Sequence, residues 1–292
     1  MFGRTVQVLG GLAVCTIIRG IALAAPPSPA PIPVEVSILP QKYFVERVGG
    51  SHVKVEVLVA PGQEPHTYEP TPKQVAHLAE ARIYFQIGFP FEEALINKIS
   101  SGTFENLKVV DTRQGIKLRT GSEPGGVAGT PDPHIWLDPK LVKIQAQTME
   151  TALARLDPAD AAEYEKNLHD FQADLDRLDA ELAATLAPFK GREFFVFHPA
   201  YGYFGDAYGL KQVPVEVGGK EPSAKELTAL IDRAKKDGVK VIFVEPQFSQ
   251  KTAGAVAEAI GGAVVPLDDL SPDYLHNLEN FAAQIQKALV KH

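Results

Sequence analysis

The chain is nearly free of cysteine. Cys15 is the only one in 292 residues, and it falls inside an apolar N-terminal run. Once that run is removed, neither a disulfide nor a thiolate metal site can form, so a site for a borderline metal has to use histidine and carboxylate. Valine precedes Cys15 and no cysteine follows it. The arrangement of a lipid-anchored protein, a cysteine just after the signal with a small residue before it, is therefore missing too. Basic residues are in deficit, 29 Lys and Arg against 36 Asp and Glu, for a net charge of −7. Such a surface makes nucleic acid a poor partner. Low-complexity sequence is absent after residue 33, and 45% hydrophobic with 22% charged residues is the composition of a folded globular chain.

Residues 1–24 read as a cleaved export signal: Arg4 precedes an apolar run over 6–18, and Ala22-Leu23-Ala24 places small residues at signal-peptidase spacing. Arg19 interrupts the apolar character, which keeps a short membrane anchor as the rival reading. Cleavage removes Arg4 and Arg19 and no acid, taking the net charge from −7 to −9. "PPSPAPIP" (26–33) then reads as an extended tether over 25–33, because each proline fixes φ and removes a donor.

From Val34 onward, strand-like and helix-like stretches alternate. Strands are expected at 34–39, 53–60, 82–88 and 107–112, with helices at 71–81 and 91–100 between them. The second half repeats the pattern, with strands at 193–198, 213–217, 239–246 and 263–268 and helices at 223–237, 250–260 and 273–289. Alternation of this kind argues for parallel α/β structure. Between the halves, Leu168, Phe171, Leu175, Leu178, Leu182 and Leu186 recur at intervals of three and four, tracing one face of a long helix. The expected architecture is an N-terminal α/β lobe over 34–156, a connecting helix within 157–189 and a C-terminal α/β lobe over 190–292. The turn-rich segment 114–133 reads as a surface loop.

The chain has eight histidines. His52 lies in a polar turn, His77, His169 and His276 fall in helices, and His292 is terminal; solvated or structural roles are expected for all five. His66, His134 and His198 differ, because each sits in a rigid context at or near a strand end. His66 lies in "PGQEPHTYEP" between Pro65 and Pro70, His134 in "PDPHIWLDP", and His198 ends "EFFVFH" ahead of Pro199. Proline clamping lowers the entropy lost in fixing a side chain, which a metal ligand needs. Carboxyl ends of parallel strands are where open α/β sheets bind ligands. A carboxylate completes the set: Asp268 by its position after "AVVPL", with Asp269 beside it as the alternative. Three imidazoles and one carboxylate suit tetrahedral Zn²⁺, with bonds of about 2.0–2.2 Å.

Taken in order, "APGQEPHTYEPTPKQ", "DPHIWLDP", "FVFHPAYGYF", "GGKEPSAKEL" and "VPLDDLSPDYLHNL" resemble the periplasmic zinc-binding proteins that serve ABC importers, within the wider zinc/manganese group of solute-binding proteins. The resemblance implies two lobes joined by a long rigid helix, with the metal in the inter-lobe cleft. It also implies His66 and His134 as ligands from the first lobe and His198 and Asp268 from the second. Manganese-type relatives tend to have a carboxylate in place of His198, so the resemblance favours zinc over manganese. The implied protein is a periplasmic carrier, a monomer, that hands Zn²⁺ to a membrane permease, and is not an enzyme. A role in cell adhesion is described for members of the wider group.

Two features depart from the family pattern. No histidine occurs between His77 and His134, so the metal-gathering loop of many zinc members is not expected, and "LDDL" stands where Leu-Asp-Pro-Leu is common. A zinc hydrolase is the rival class. It would need an open coordination position and a base such as Glu64 or Glu69, and neither a His-Glu-x-x-His helix nor a Gly-x-Ser-x-Gly elbow is present. "GGKE" lacks the Ser/Thr of a phosphate-binding loop; Ser223 with Glu226 reads instead as a helix-capping box. Tyr201, Tyr203 and Trp136 are expected to pack around the site.

Overall fold

A computed structural model describes residues 1–3, 30–100, 104–120, 129–217, 220, 222–248 and 250–290. The chain divides into two compact units, Met1–Ala30 and Pro31–His292, and the second holds both lobes. All but the first three residues of the expected export signal, with Cys15, lie outside the described residues. No helix among the described residues is long and apolar enough to cross a membrane.

The first lobe runs β1 (Ile32–Val36), α1 (Leu39–Gly49), β2 (Val53–Val57), α2 (Pro72–Leu78), β3 (Ile83–Gln86), α3 (Pro90–Lys98) and β4 (Lys108–Asp111). Two helices follow, α4 (Pro139–Leu156) and α5 (Ala161–Leu186). The second lobe runs β5 (Glu193–Val196), α6 (Gly202–Tyr208), β6 (Lys211–Pro214), α7 (Ala224–Lys236), β7 (Val241–Val244), α8 (Gln250–Ala259), β8 (Ala263–Pro266) and α9 (Tyr274–Val290). The two sheets have the orders β2-β1-β3-β4 and β6-β5-β7-β8. Every pairing is parallel, so one topology occurs twice.

Several boundaries differ from the sequence reading. Ile32 and Pro33 belong to β1 and not to the tether, because they pair with Val53 and Lys54. The strand expected over 34–39 stops at Val36, and α1 begins at Leu39. Its start has no Ser, Thr or Asp cap; the Gln41 side-chain oxygen instead accepts from the Ser37 and Ile38 N–H groups. Helix α4 begins in the "DP" of "IWLDP", where Asp138 accepts from Lys140 N–H and Pro139 supplies the first turn. Strand β6 starts two residues earlier than expected. The expected capping box of Ser223 with Glu226 is present, and a second one, Thr71 with Gln74, opens α2.

Helix α5 buries Tyr164, Leu168, Phe171, Leu175, Leu178, Leu182 and Leu186 on one face. Each large apolar side chain removed from water contributes about 1.5–3 kcal/mol. The core they enter is shared between the lobes. On β5 and the residue after it, Phe194 and Val196 join it while Phe195 and Phe197 face a second core under α7 and α8, as the period-two alternation of a strand requires. Phe44 of α1 meets Tyr274 of α9 edge-on at 4.8 Å and Phe171 of α5 at 5.9 Å. The connecting helix is thus built into a continuous core reaching both sheets.

Candidate metal centre

His66 enters on the loop after β2. Leu58 and Val59 continue the ladder by donating to Val36 and Ser37 carbonyls, after which the chain turns. Glu64 holds the turn: one carboxylate oxygen accepts from His66 N–H at 2.7 Å, the other from the Thr67 amide at 2.8 Å and hydroxyl at 2.7 Å. The Tyr68 hydroxyl and the Gln74 amide both donate to the Leu58 carbonyl, closing the loop against the start of α2. Glu64 is thereby committed to holding the turn, which engages one of the two candidates for the base a hydrolase would need.

His134 follows β4 at a distance and opens a 3₁₀ turn, Ile135–Leu137. Asp132 Oδ1 accepts from both its amide (3.0 Å) and its ring Nδ1 (2.7 Å). His198 extends from β5, and its Nδ1 donates to Glu216 at 2.6 Å. Its ring stacks on Phe248 at 4.7 Å. A ring whose Nδ1 hydrogen is held by a carboxylate keeps the Nε2 lone pair free for a metal and is fixed in orientation.

The three Nε2 atoms converge. His134 Nε2 lies 3.2 Å from that of His66 and 3.2 Å from that of His198. His134 and His198 are buried, and Phe89, Trp136 and Phe248 line the same recess. Burial, reinforced by the two neighbouring histidines, holds the His66 imidazole well below its ordinary pKa. Three ring nitrogens this close together offer a single cation three donors at once.

The carboxylate lining this recess is Asp269, not Asp268. Strand β8 ends at Pro266, but Leu267 still donates to the Val244 carbonyl, so the alternation of faces persists beyond it. Leu267 and Asp269 are buried together, whereas Asp268 between them is only half-buried and does not line the recess. Asp268 caps the following turn, accepting from Leu270 N–H at 3.0 Å, and its carbonyl receives the Asn277 amide. Asp269 Oδ1 accepts from Gln247 at 2.6 Å, and its carbonyl from the Trp136 indole at 2.7 Å. Burial pushes the Asp269 carboxyl up, with His134 and His198 pulling it down.

Sequence reasoning missed the carboxylates behind the rings. Asp132 is legible as the acid two residues before His134, but Glu216 reaches His198 only through the β5–β6 register, in which its amide donates to Phe197. Of the aromatic residues expected around the site, Trp136 lines it, while Tyr201 packs on Phe281 and Tyr203 bonds the loop before His134. His77 and His276 are exposed and pair with Glu80 and Glu279 on their own helices.

Among known proteins, the chain is 31% identical over 248 residues to the high-affinity zinc uptake system protein ZnuA of Bacillus subtilis, covering 81% of this chain and 78% of that one. A crystallised ZnuA deletion mutant with zinc bound superposes with a TM-score of 0.83 at 45% identity, over 88% of this chain and 98% of the other. The laminin-binding protein of Streptococcus agalactiae, described as both adhesin and metal transporter, has a TM-score of 0.79 at 25% identity, over 89% and 99% of the two chains. The family described as ZnuA, zinc-uptake complex component A, periplasmic, matches residues 34–288, and the chain belongs to it.

Proposed function

We propose that this protein is an extracytoplasmic solute-binding protein that captures Zn²⁺ between its lobes and delivers it to the membrane permease of an ABC importer. His66 and His134 bind from the first lobe, His198 and Asp269 from the second. The observation that carries this reading is the convergence of three Nε2 atoms, two of them on rings whose Nδ1 is held by a carboxylate. Nitrogen-rich donors with one carboxylate suit zinc better than manganese. A fourth protein ligand closes the site, as befits a carrier and not a hydrolase. Ligands drawn from both lobes mean that a small separation breaks the coordination, a motion the permease would drive. Imidazole binds metal only when neutral, so affinity falls as pH drops through the imidazole range.

The test is a competition titration of tag-free, metal-depleted protein against a chromophoric chelator, with metal content of the isolated protein by mass spectrometry. One zinc per chain, lost in His198→Ala, is expected. A chain that takes up no zinc, or a His198→Ala variant that binds like the parent, overturns the proposal.

A further inference from the structure

The segment that presents His134 is fastened to the opposite lobe by side chains outside the ligand set. Thr120 and Pro131 form an isolated antiparallel bridge, and Asp132 N–H donates to the Arg119 carbonyl at 2.9 Å. Residues 119 and 132 therefore sit side by side, two positions ahead of His134. Helix α6 of the second lobe seizes both. Arg119 N–H donates to the Tyr203 hydroxyl at 2.8 Å, and that hydroxyl donates to the Asp132 carbonyl at 3.0 Å. The Arg119 guanidinium pairs with Asp206, lies 5.8 Å from the centre of the Tyr203 ring and stands 3.7 Å from Asp132 Oδ2.

Gly202 shows how closely the parts are fitted. A Cβ at that position would lie 2.7 Å from Arg119 Nε and 3.1 Å from Asp132 Oδ2, so the absent side chain is what lets the pair lie on the helix. The Asp132 carboxylate is divided between two tasks: Oδ1 holds the backbone and ring of His134, while Oδ2 faces the cation clamped on α6. Orientation of a ligating imidazole is set by its carboxylate. Here the orientation of that carboxylate is set by an inter-lobe contact.

We infer that Arg119 is a positioning residue for metal retention, acting through Asp132, and that the chain Asp206–Arg119–Asp132–His134 makes the seating of α6 part of the binding site. A lobe displacement that lifts α6 from this loop loosens His134 before any ligand bond is pulled directly. Metal release is thereby coupled to a surface contact that a docking partner can shift. Arg119 serves here as a fork bridging two carboxylates, a geometry that lysine's single ammonium does not reproduce.

This inference rests on the zinc reading of the site, and the experiment separates the two. Zinc dissociation into excess chelator is followed by stopped flow for the parent, Arg119→Met, Arg119→Lys, Gly202→Ala, Asp132→Asn and the Arg119→Met/Asp132→Asn double variant, with melting of each metal-free protein. Arg119→Met and Gly202→Ala are expected to release zinc about tenfold faster, the lower end of the effect of outer-shell partners, with association unchanged. Arg119→Lys is expected to stay near Arg119→Met. In the Asp132→Asn background Arg119→Met should add nothing, because the two act in series. The absorption of the Co²⁺-loaded protein should change in Arg119→Met, a readout that a merely structural role leaves alone. A parent that binds no zinc overturns the site itself. Parental release rates in Arg119→Met and Gly202→Ala, with or without a lower melting temperature, overturn the coupling alone, as do fully additive effects in the double variant.

Discussion

Histidine and carboxylate meet in two places in this chain, with opposite outcomes. In the cleft, three imidazoles turn their Nε2 atoms inward and two of them lean back on Asp132 and Glu216. At the α1–β2 junction, His52 is alone among acids: Nδ1 is 3.1 Å from Asp160, Nε2 is 3.0 Å from Glu163, Asp157 stands near, and the Tyr164 ring meets it edge-on at 5.6 Å. The hydrogen bond to Glu163 raises the His52 pKa against the opposing effect of burial, with Asp160, Glu163 and Asp157 adding to the rise. His66 shifts the other way, through burial and like neighbours. The lesson lies in which nitrogens are taken. An imidazole with acids at both nitrogens is half of an ion pair and favours its proton. Imidazoles with one nitrogen held and the other aimed at its peers favour a metal.

The comparison breaks most forcefully at the proposed ligands. His134→Ala should weaken zinc binding by more than the roughly 100-fold that marks the upper end for outer-shell partners, read by competition titration. Next is the pair of adjacent acids: Asp269→Ala should approach that loss, while Asp268→Ala should leave affinity nearly intact and lower the melting temperature through its lost turn cap. The reverse order would restore Asp268 as the ligand. Glu216→Gln, which keeps the shape but weakens the hold on His198 Nδ1, should reduce affinity about 10- to 100-fold, with unfolding behaviour close to the parent.

His52→Gln should do the least. Zinc affinity should be unchanged, and the stability lost should be no more than about 1 kcal/mol, since the pair is partly exposed. Its pH dependence is diagnostic. The folded-state pKa of His52 lies above 6.5, so the contribution is fully present below about pH 6.5 and disappears as pH rises through the raised value. The gap between parent and variant melting temperatures should therefore close on the alkaline side. A gap that widens there would mean His52 is not held as a cation.

The cleft was legible in part because its histidines carry a local signature. Proline on either side of His66 and after His198 marks rigid presentation, and parallel strand ends mark direction, so the three rings could be grouped from the sequence alone. The long apolar stripe of α5 and the Ser223–Glu226 cap are likewise local, and they stand where the sequence puts them. Asp269 was hidden because the choice between neighbours depends on which face the chain presents after β8, and hydrogen bonding to Val244 carries that alternation past the strand end. Helix α1 escaped because its start is capped by a glutamine reaching back from inside the helix, a pattern without the usual cap residue. Glu216 and Arg119 depend on sheet register and inter-lobe contact, which no short window contains.

Trp136 is the only tryptophan in the sequence. It is fully buried, 5.1 Å from the His134 ring, with its indole N–H on the Asp269 carbonyl and its own carbonyl receiving the Tyr274 hydroxyl. The protein therefore carries an intrinsic fluorophore wired to both lobes at the one place where occupancy matters. Tryptophan emission comes from the cleft and from nowhere else in the chain, so the proposed filling and emptying of the site is open to optical measurement without a label.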